Sequence, residues 1–214
     1  MSIRQPLLWG GLIAAAFLTG CTTVHDVTVD AISDRTKPLG SSYHLEVNDP
    51  AGGVDPERHA IVVAAIEDAL AARGLYAAPA TVRPDMMIQA SYGVGHGYVK
   101  IVTQQNTNIL LGPSGMPQSN SKAVVVFDKT LELTARDVLP PPAGSPDVGQ
   151  PGPELWSVKT KIVDTKQDLL PFVSALASAC IDYIGENPGR ELTFPVDSSQ
   201  AQQLLQHRPE AVAK

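Results

Sequence analysis

Ala123-Val124-Val125-Val126-Phe127-Asp128-Lys129-Thr130-Leu131-Glu132-Leu133-Thr134-Ala135 is the stretch whose reading sets the fold class. Val125, Phe127, Leu131 and Leu133 fall on one face, and Asp128, Thr130, Glu132 and Thr134 on the other. A period of two held over that length is a β-strand with one side buried and one side wet. Lys129 interrupts the inner row, which predicts a bend or bulge there. A strand wet on one side suits a mostly antiparallel sheet, not a parallel one covered on both faces.

The reading extends outward in both directions. Downstream, Pro140-Pro141-Pro142 opens a Pro/Gly loop, 138–153, with an insertion at 139–153 that has almost no apolar content. Glu154 to Asp164 then alternates again: Trp156, Val158, Thr160 and Ile162 inward, Ser157, Lys159 and Lys161 outward. The loop is therefore expected to join two adjacent antiparallel strands. Asp168 caps a helix whose Val173, Leu176, Ala177, Cys180, Ile181 and Ile184 recur at helical spacing. Leu192, Phe194 and Val196 suggest a last short strand. The stretch 197–214 reads as a polar tail.

Upstream, 104–121 is rich in Asn, Gly, Pro and Ser and reads as a long loop or hairpin tip, with Tyr98 to Val102 before it continuing or pairing back. Asp85 to Val94 is a strand with Met86, Ile88, Ala90, Tyr92 and Val94 on one side. Asp55-Pro56-Glu57 opens the first helix with a cap, a preset first-turn φ and a charge that suits the dipole. Val62, Ile66, Ala69 and Leu70 share its apolar face, and Gly74 stands where a left-handed C-terminal residue is expected. Ser41 to Val47 alternates as a half-buried strand. The order predicted is β-α-β-β-β-α(-β), an α+β domain at 39–196 with a small mostly antiparallel sheet and two amphipathic helices on one face.

The N-terminus has a different character. Arg4 and the amino terminus precede an apolar run, Leu7 to Leu18, too short for the ~20 residues of a membrane span but suited to a secretory signal. It closes on Leu18-Thr19-Gly20-Cys21, which resembles the cleavage and lipidation box of bacterial lipoproteins. Residues 1–20 are expected to be removed between Gly20 and Cys21. Cys21 would then carry a diacylglycerol thioether and an acylated amine, and 21–38 would serve mainly as a tether, with room for a short edge strand where Val27, Val29 and Ala31 alternate. Several acyl chains hold stably where one holds marginally. Thr22, not Asp, favours the outer membrane, with the domain facing the periplasm.

Charge narrows the partners. The net charge of −6 becomes −7 once the leader takes Arg4 away. Such a chain has no footprint for nucleic acid and no basic stripe for anionic lipid. With Cys21 committed to lipid, Cys180 has no partner in the chain and is expected to be buried.

The helix end Leu70-Ala71-Ala72-Arg73-Gly74-Leu75, the strand opening Pro84-Asp85, and Thr130-Leu131-Glu132-Leu133-Thr134-Ala135-Arg136-Asp137 followed by Leu155-Trp156 resemble the domain-of-unknown-function 4136 family of bacterial lipoproteins. The resemblance covers about Ser41 to Gly189 and departs where the Pro-rich loop replaces a tight turn. That family has no established activity, so no functional residue carries over. The layout is also similar to assembly lipoproteins that pack two helices on a small sheet, which is analogy at fold level.

Candidate chemistry is sparse. Gly93-Val94-Gly95-His96-Gly97 lacks the following helix that a phosphate loop needs and reads as a strand end with a bend. His25, His44, His59, His96 and His207 stand apart, so no metal or cofactor is expected. No Ser sits in a nucleophile elbow, and Gly112-Pro113-Ser114-Gly115 reads as a turn. Trp156 belongs to the core by its period. The expectation is a non-enzymatic, lipid-anchored envelope protein that binds an envelope partner or supports an assembly. The alternative is a small-molecule, peptide or glycan module using 104–121 or 138–153.

Overall fold

A computed structural model describes residues 23–48, 55–105, 119–141 and 149–206. Eight strands form one sheet: β1 Val24–Ser33, β2 Ser42–Asn48, β3 Tyr76–Ala77, β4 Met86–Val94, β5 Tyr98–Gln105, β6 Ser119–Leu139, β7 Gln150–Asp164 and β8 Leu192–Asp197. The helices are α1 Pro56–Ala72, α2 Val173–Cys180 and α3 Ser198–Gln206. The sheet order is β3-β2-β4-β6-β7-β1-β8, with β5 on β6. The expected α+β class and largely antiparallel sheet hold, with more strands and one more helix than the sequence indicated.

The opening stretch lies inside β6, a strand of 21 residues. Its upper half, Lys129 to Asp137, pairs antiparallel with β4, and its lower half, Ser119 to Val126, with β5. Thus β5 continues the line of β4 along the same edge, after an interruption at Gly95-His96-Gly97. A Cβ at Gly97 would lie 2.8 Å from the Phe127 ring, so the close approach requires glycine. β7 flanks the other side of β6 from Phe127↔Asp164 to Leu139↔Gln150. The two strands around the Pro-rich loop are therefore antiparallel neighbours, as expected, but their pairing reaches Pro151 and Gln150, inside the stretch read as loop.

β2 and β4 are parallel, joined through α1 and the short β3. Parallel neighbours need a long crossover, and α1 supplies it. Asp55 accepts from the Glu57 amide, and Gly74 ends the helix at φ +88°.

Val62, Ile66, Ala69 and Leu70 of α1 and Leu176, Ala177 and Cys180 of α2 are buried against Met86, Ile88, Leu131, Leu133, Trp156, Val158 and Ile162. The Thr160 hydroxyl, in the inner row of β7, donates to the Leu176 carbonyl at 3.2 Å and fastens α2 to the sheet. Burial raises the Cys180 thiol to about 12.

Four expectations need correction. Residues 24–33, read mainly as a tether with at most a short edge strand, form the interior strand β1 between β7 and β8, with Val27, Val29 and Ala31 buried. Within the polar tail, Ser198–Gln206 is α3, seated by Ala201 and Leu205. Lys129 causes no bulge: its register with β4 and β7 is unbroken, and the irregularities lie at Ala135/Arg136 and Arg136/Val138. The lysine is fully buried, its stem filling an inner-row place and its Nζ donating to the Phe127 and Asp164 carbonyls. Val125, assigned to the core, is 52% exposed, because the helices end above it.

Candidate functional site

The two ends of the sheet differ in chemistry. At one end the starts of β2, β4 and β7 meet the ends of β1 and β6, around an open cleft of about 650 Å³. Pro84-Asp85 places a carboxylate just before β4. Its Oδ2 accepts from the Ser41 and Ser42 amides at 2.9 Å each and from the Ser41 hydroxyl at 3.0 Å. The Asp85 amide donates to the Ser42 hydroxyl in return. These bonds, the Ser42 and Ser41 amides first, hold Asp85 at about 2. Gly40 is needed beside it, since a Cβ there would sit 2.6 Å from the Asp85 Cβ.

Across the cleft, Lys37 pairs with Asp137 at 3.3 Å, and Arg83 donates to the Val138 carbonyl. Leu39, Pro84 and Leu155 give it apolar wall. Lys37 and Asp137 engage each other, whereas Asp85 and Arg83 are held by Ser41, Ser42 and backbone groups. Among the described residues lining the cleft, none pairs a nucleophile with a base.

At the opposite end, β5 and the lower half of β6 leave the sheet as a two-stranded ribbon. β7 stops at Asp164, level with Phe127, and β4 stops at Val94, level with Lys129. Below those levels each ribbon strand has only the other as partner among the described residues. Val99, Ile101, Ala123 and Val125 share one face of it and are exposed.

The residues singled out from sequence fall as follows. Gly20 and Cys21 lie outside the described residues, as do His207, Gly112–Gly115, 106–118 within the first long loop and 142–148 within the Pro-rich one. His25 packs edge-on against Phe172. His44 meets the Pro79 carbonyl at 3.3 Å, whereas His59 meets the Tyr92 hydroxyl at 2.8 Å, so these two histidines serve different neighbours. Among the described residues no group of three His, Cys, Asp or Glu could hold a metal ion. Trp156 is buried, and its indole nitrogen has no hydrogen-bond partner among the described residues. Gly93–Gly97 is a strand end and bend, with no helix after it.

No family model matches the chain, and no curated protein does. Among solved structures, it is similar to a PDZ domain protein from Parabacteroides distasonis, with 14% identity and a TM-score of 0.44, over 82% of this chain and 40% of that one. It is also similar to the PelC dodecamer from Paraburkholderia phytofirmans, with 12% identity and a TM-score of 0.40, over 75% of this chain and 98% of that one.

The cleft residues Lys37, Arg83, Asp85 and Asp137 are not legible as a group in the sequence because they come from three separated segments. Pro84-Asp85 was noticed only as a strand opening. The ribbon carried a signal that went unused: Val99, Ile101, Ala123 and Val125 continue an inner row past the point where helix is available to cover it.

Proposed function

We propose that this chain is a non-enzymatic, lipid-anchored envelope lipoprotein that presents the cleft end of its sheet to an envelope protein partner. The observation that carries the reading is the opposition of the two ends. Thr23, just after the Leu18–Cys21 box, enters β1 at the ribbon end, where the Ser198 amide donates to its carbonyl. The cleft and both roots of the Pro-rich loop lie at the far end of the same strands. A lipid on Cys21 would hold the first end at a bilayer and direct the second away from it. Thr22 favours the outer membrane and a periplasm-facing domain.

The alternative is a small-molecule, peptide or glycan site. The cleft's volume, within the ~300–1,000 Å³ of ligand pockets, favours it. The mutual pairing of Lys37 with Asp137 and of Arg83 with Val138 weighs against it, since a ligand would have to displace them.

The test is Cys21→Ser in the full chain, followed by fractionation and a pull-down from solubilised envelopes. The expected result is loss of the acylated mass, with wild-type protein alone retained in the membrane at that mass and co-purifying with a stoichiometric protein. Mutant protein in the membrane at the wild-type mass removes the anchor. A clean monomer with a bound small molecule replaces the partner reading with the alternative.

A further inference from the structure

We infer that the β5–β6 ribbon is a second membrane contact, lying in the headgroup zone of the bilayer with Val99, Ile101, Ala123 and Val125 turned toward the acyl chains. The inference rests on the lipid-anchor reading for its orientation and on the ribbon's own chemistry for its substance.

Register fixes the geometry. Val27 lies opposite Ile162, and Ile162 opposite Lys129, so Val24 stands level with Val126 two strands away. Adjacent strands are ~4.8 Å apart, which puts the entering chain ~10 Å from the root of the ribbon. From that level the ribbon runs on to Ser119, opposite Gln105. At ~3.3 Å per residue this is ~20 Å. Cys21 precedes Thr23 by two residues and can reach only ~7 Å. A diacylglycerol on Cys21 is therefore held within a ribbon's length of the β5–β6 pair, so a domain tilted over its anchor lays the ribbon along the same bilayer surface.

The surface suits that encounter. Val99, Ile101 and Val125 are 67%, 71% and 52% exposed, adjacent on one face with Ala123 between them, and no other described element covers them. The opposite face carries Lys100 and Lys122 among Tyr98, Val102, Val124 and the buried Val126. The paired segments 98–105 and 119–126 contain those two lysines and no acidic residue, in a chain of net charge −6. This is too little for a basic stripe, but it is the sign that phospholipid phosphates select, and lysine stems can reach sideways to them. Among the described residues both ribbon edges hold unpaired backbone groups, which hydrocarbon does not tolerate. The ribbon therefore lies in the hydrated interface and does not cross the core.

The test uses the full chain, purified as the mature protein and reconstituted into vesicles of phosphatidylethanolamine and phosphatidylglycerol. An environment-sensitive fluorophore is placed through Ile101→Cys and, as a control, through Val82→Cys near the cleft; buried Cys180 stays unlabelled. The expected result is a blue-shifted, several-fold brighter signal at position 101, quenched by nitroxide-bearing acyl chains, with neither change at position 82. A label at 101 that stays in water on vesicle-bound protein overturns the inference. So does an equal blue shift without vesicles, which would assign the face to a second copy of the chain. If the purified protein proves unacylated, the anchor reading fails, while the 101 signal on added vesicles still decides the ribbon.

Discussion

Lys129 offers a sharp test of how the core is built, because its stem and its charge should pull stability in opposite directions. The side chain is fully buried, with Nζ 3.3 Å and 3.4 Å from the Phe127 and Asp164 carbonyls and 4.8 Å from the Phe172 ring centroid. Lys129→Ala deletes three methylenes from a packed place, ~2.4 kcal/mol at ~0.8 kcal/mol each, before any cavity is counted. It also removes two long hydrogen bonds and a ring contact, ~1 kcal/mol apiece, and relieves the desolvation of an ammonium, which offsets much of that. A net loss of ~2–4 kcal/mol is expected for Ala. Lys129→Met keeps the stem and discards the charge, so it should fall within ~1 kcal/mol of wild type or exceed it. Urea titrations followed by circular dichroism measure both.

The pH dependence supplies the sign. Burial depresses the Lys129 ammonium below its ordinary 10.5, against a smaller upward pull from Asp164 and Asp128. The unfolded chain then holds this proton to higher pH than the folded one, so wild type gains stability as pH rises toward 10.5. Any advantage of Met must shrink over that alkaline range. If Met loses as much as Ala, the ammonium, not the stem, holds the site, and the account of the inner row fails.

Two further outcomes follow from the cleft end. Asp85 is depressed to about 2 by the Ser42 and Ser41 amides, so its stabilising contribution is complete above the ordinary 3.8 and is lost as pH falls through about 2. Asp85→Asn should lower the thermal midpoint at neutral pH and flatten the acid limb of the stability profile; an unchanged acid limb would show that the Ser41–Ser42 cap contributes nothing. Replacing 140–149 with Asn-Gly should leave the midpoint unchanged or slightly higher, because the strands are already paired at Leu139↔Gln150 and closure grows costlier by only ~0.6 kcal/mol per doubling of loop length. Loss of the folded spectrum on that replacement would contradict the pairing.

Much of this fold was legible where local rules and burial agree. Asp55, Pro56 and Gly74 bracket α1, and the alternation in β4, β6 and β7 marks the faces that are buried. Trp156 and Cys180 fell in the core for the same reason. The alternation of Val27, Val29 and Ala31 points to no more than a short edge strand, because Asp26, Asp30 and Ser33 make the stretch look like a linker; only its partners β7 and β8, distant in sequence, make β1 an interior strand. α3 was missed because two buried residues, Ala201 and Leu205, are all that seats it. The strand–helix–strand order around α1 could have signalled the parallel β2–β4 pair. Lys129 looks like a breaker by residue type, yet its long stem fills an inner-row place while its Nζ reaches the Phe127 and Asp164 carbonyls. The cleft was illegible because pairs such as Lys37–Asp137 depend on tertiary closure.

The place of β1 also sets a schedule for assembly. A chain that leaves the ribosome or a translocation pore amino terminus first delivers β1 before either neighbour exists. Its hydrogen bonds wait for β7, whose Ile162 meets Val27, and then for β8, whose Asp197 meets Val24. Contacts so distant along the chain form slowly. A nascent molecule therefore travels with its first strand open at both edges, and the domain closes only when nearly all of it has emerged. That delay leaves β1 the last interior strand to gain both of its neighbours, although it is the first to be made.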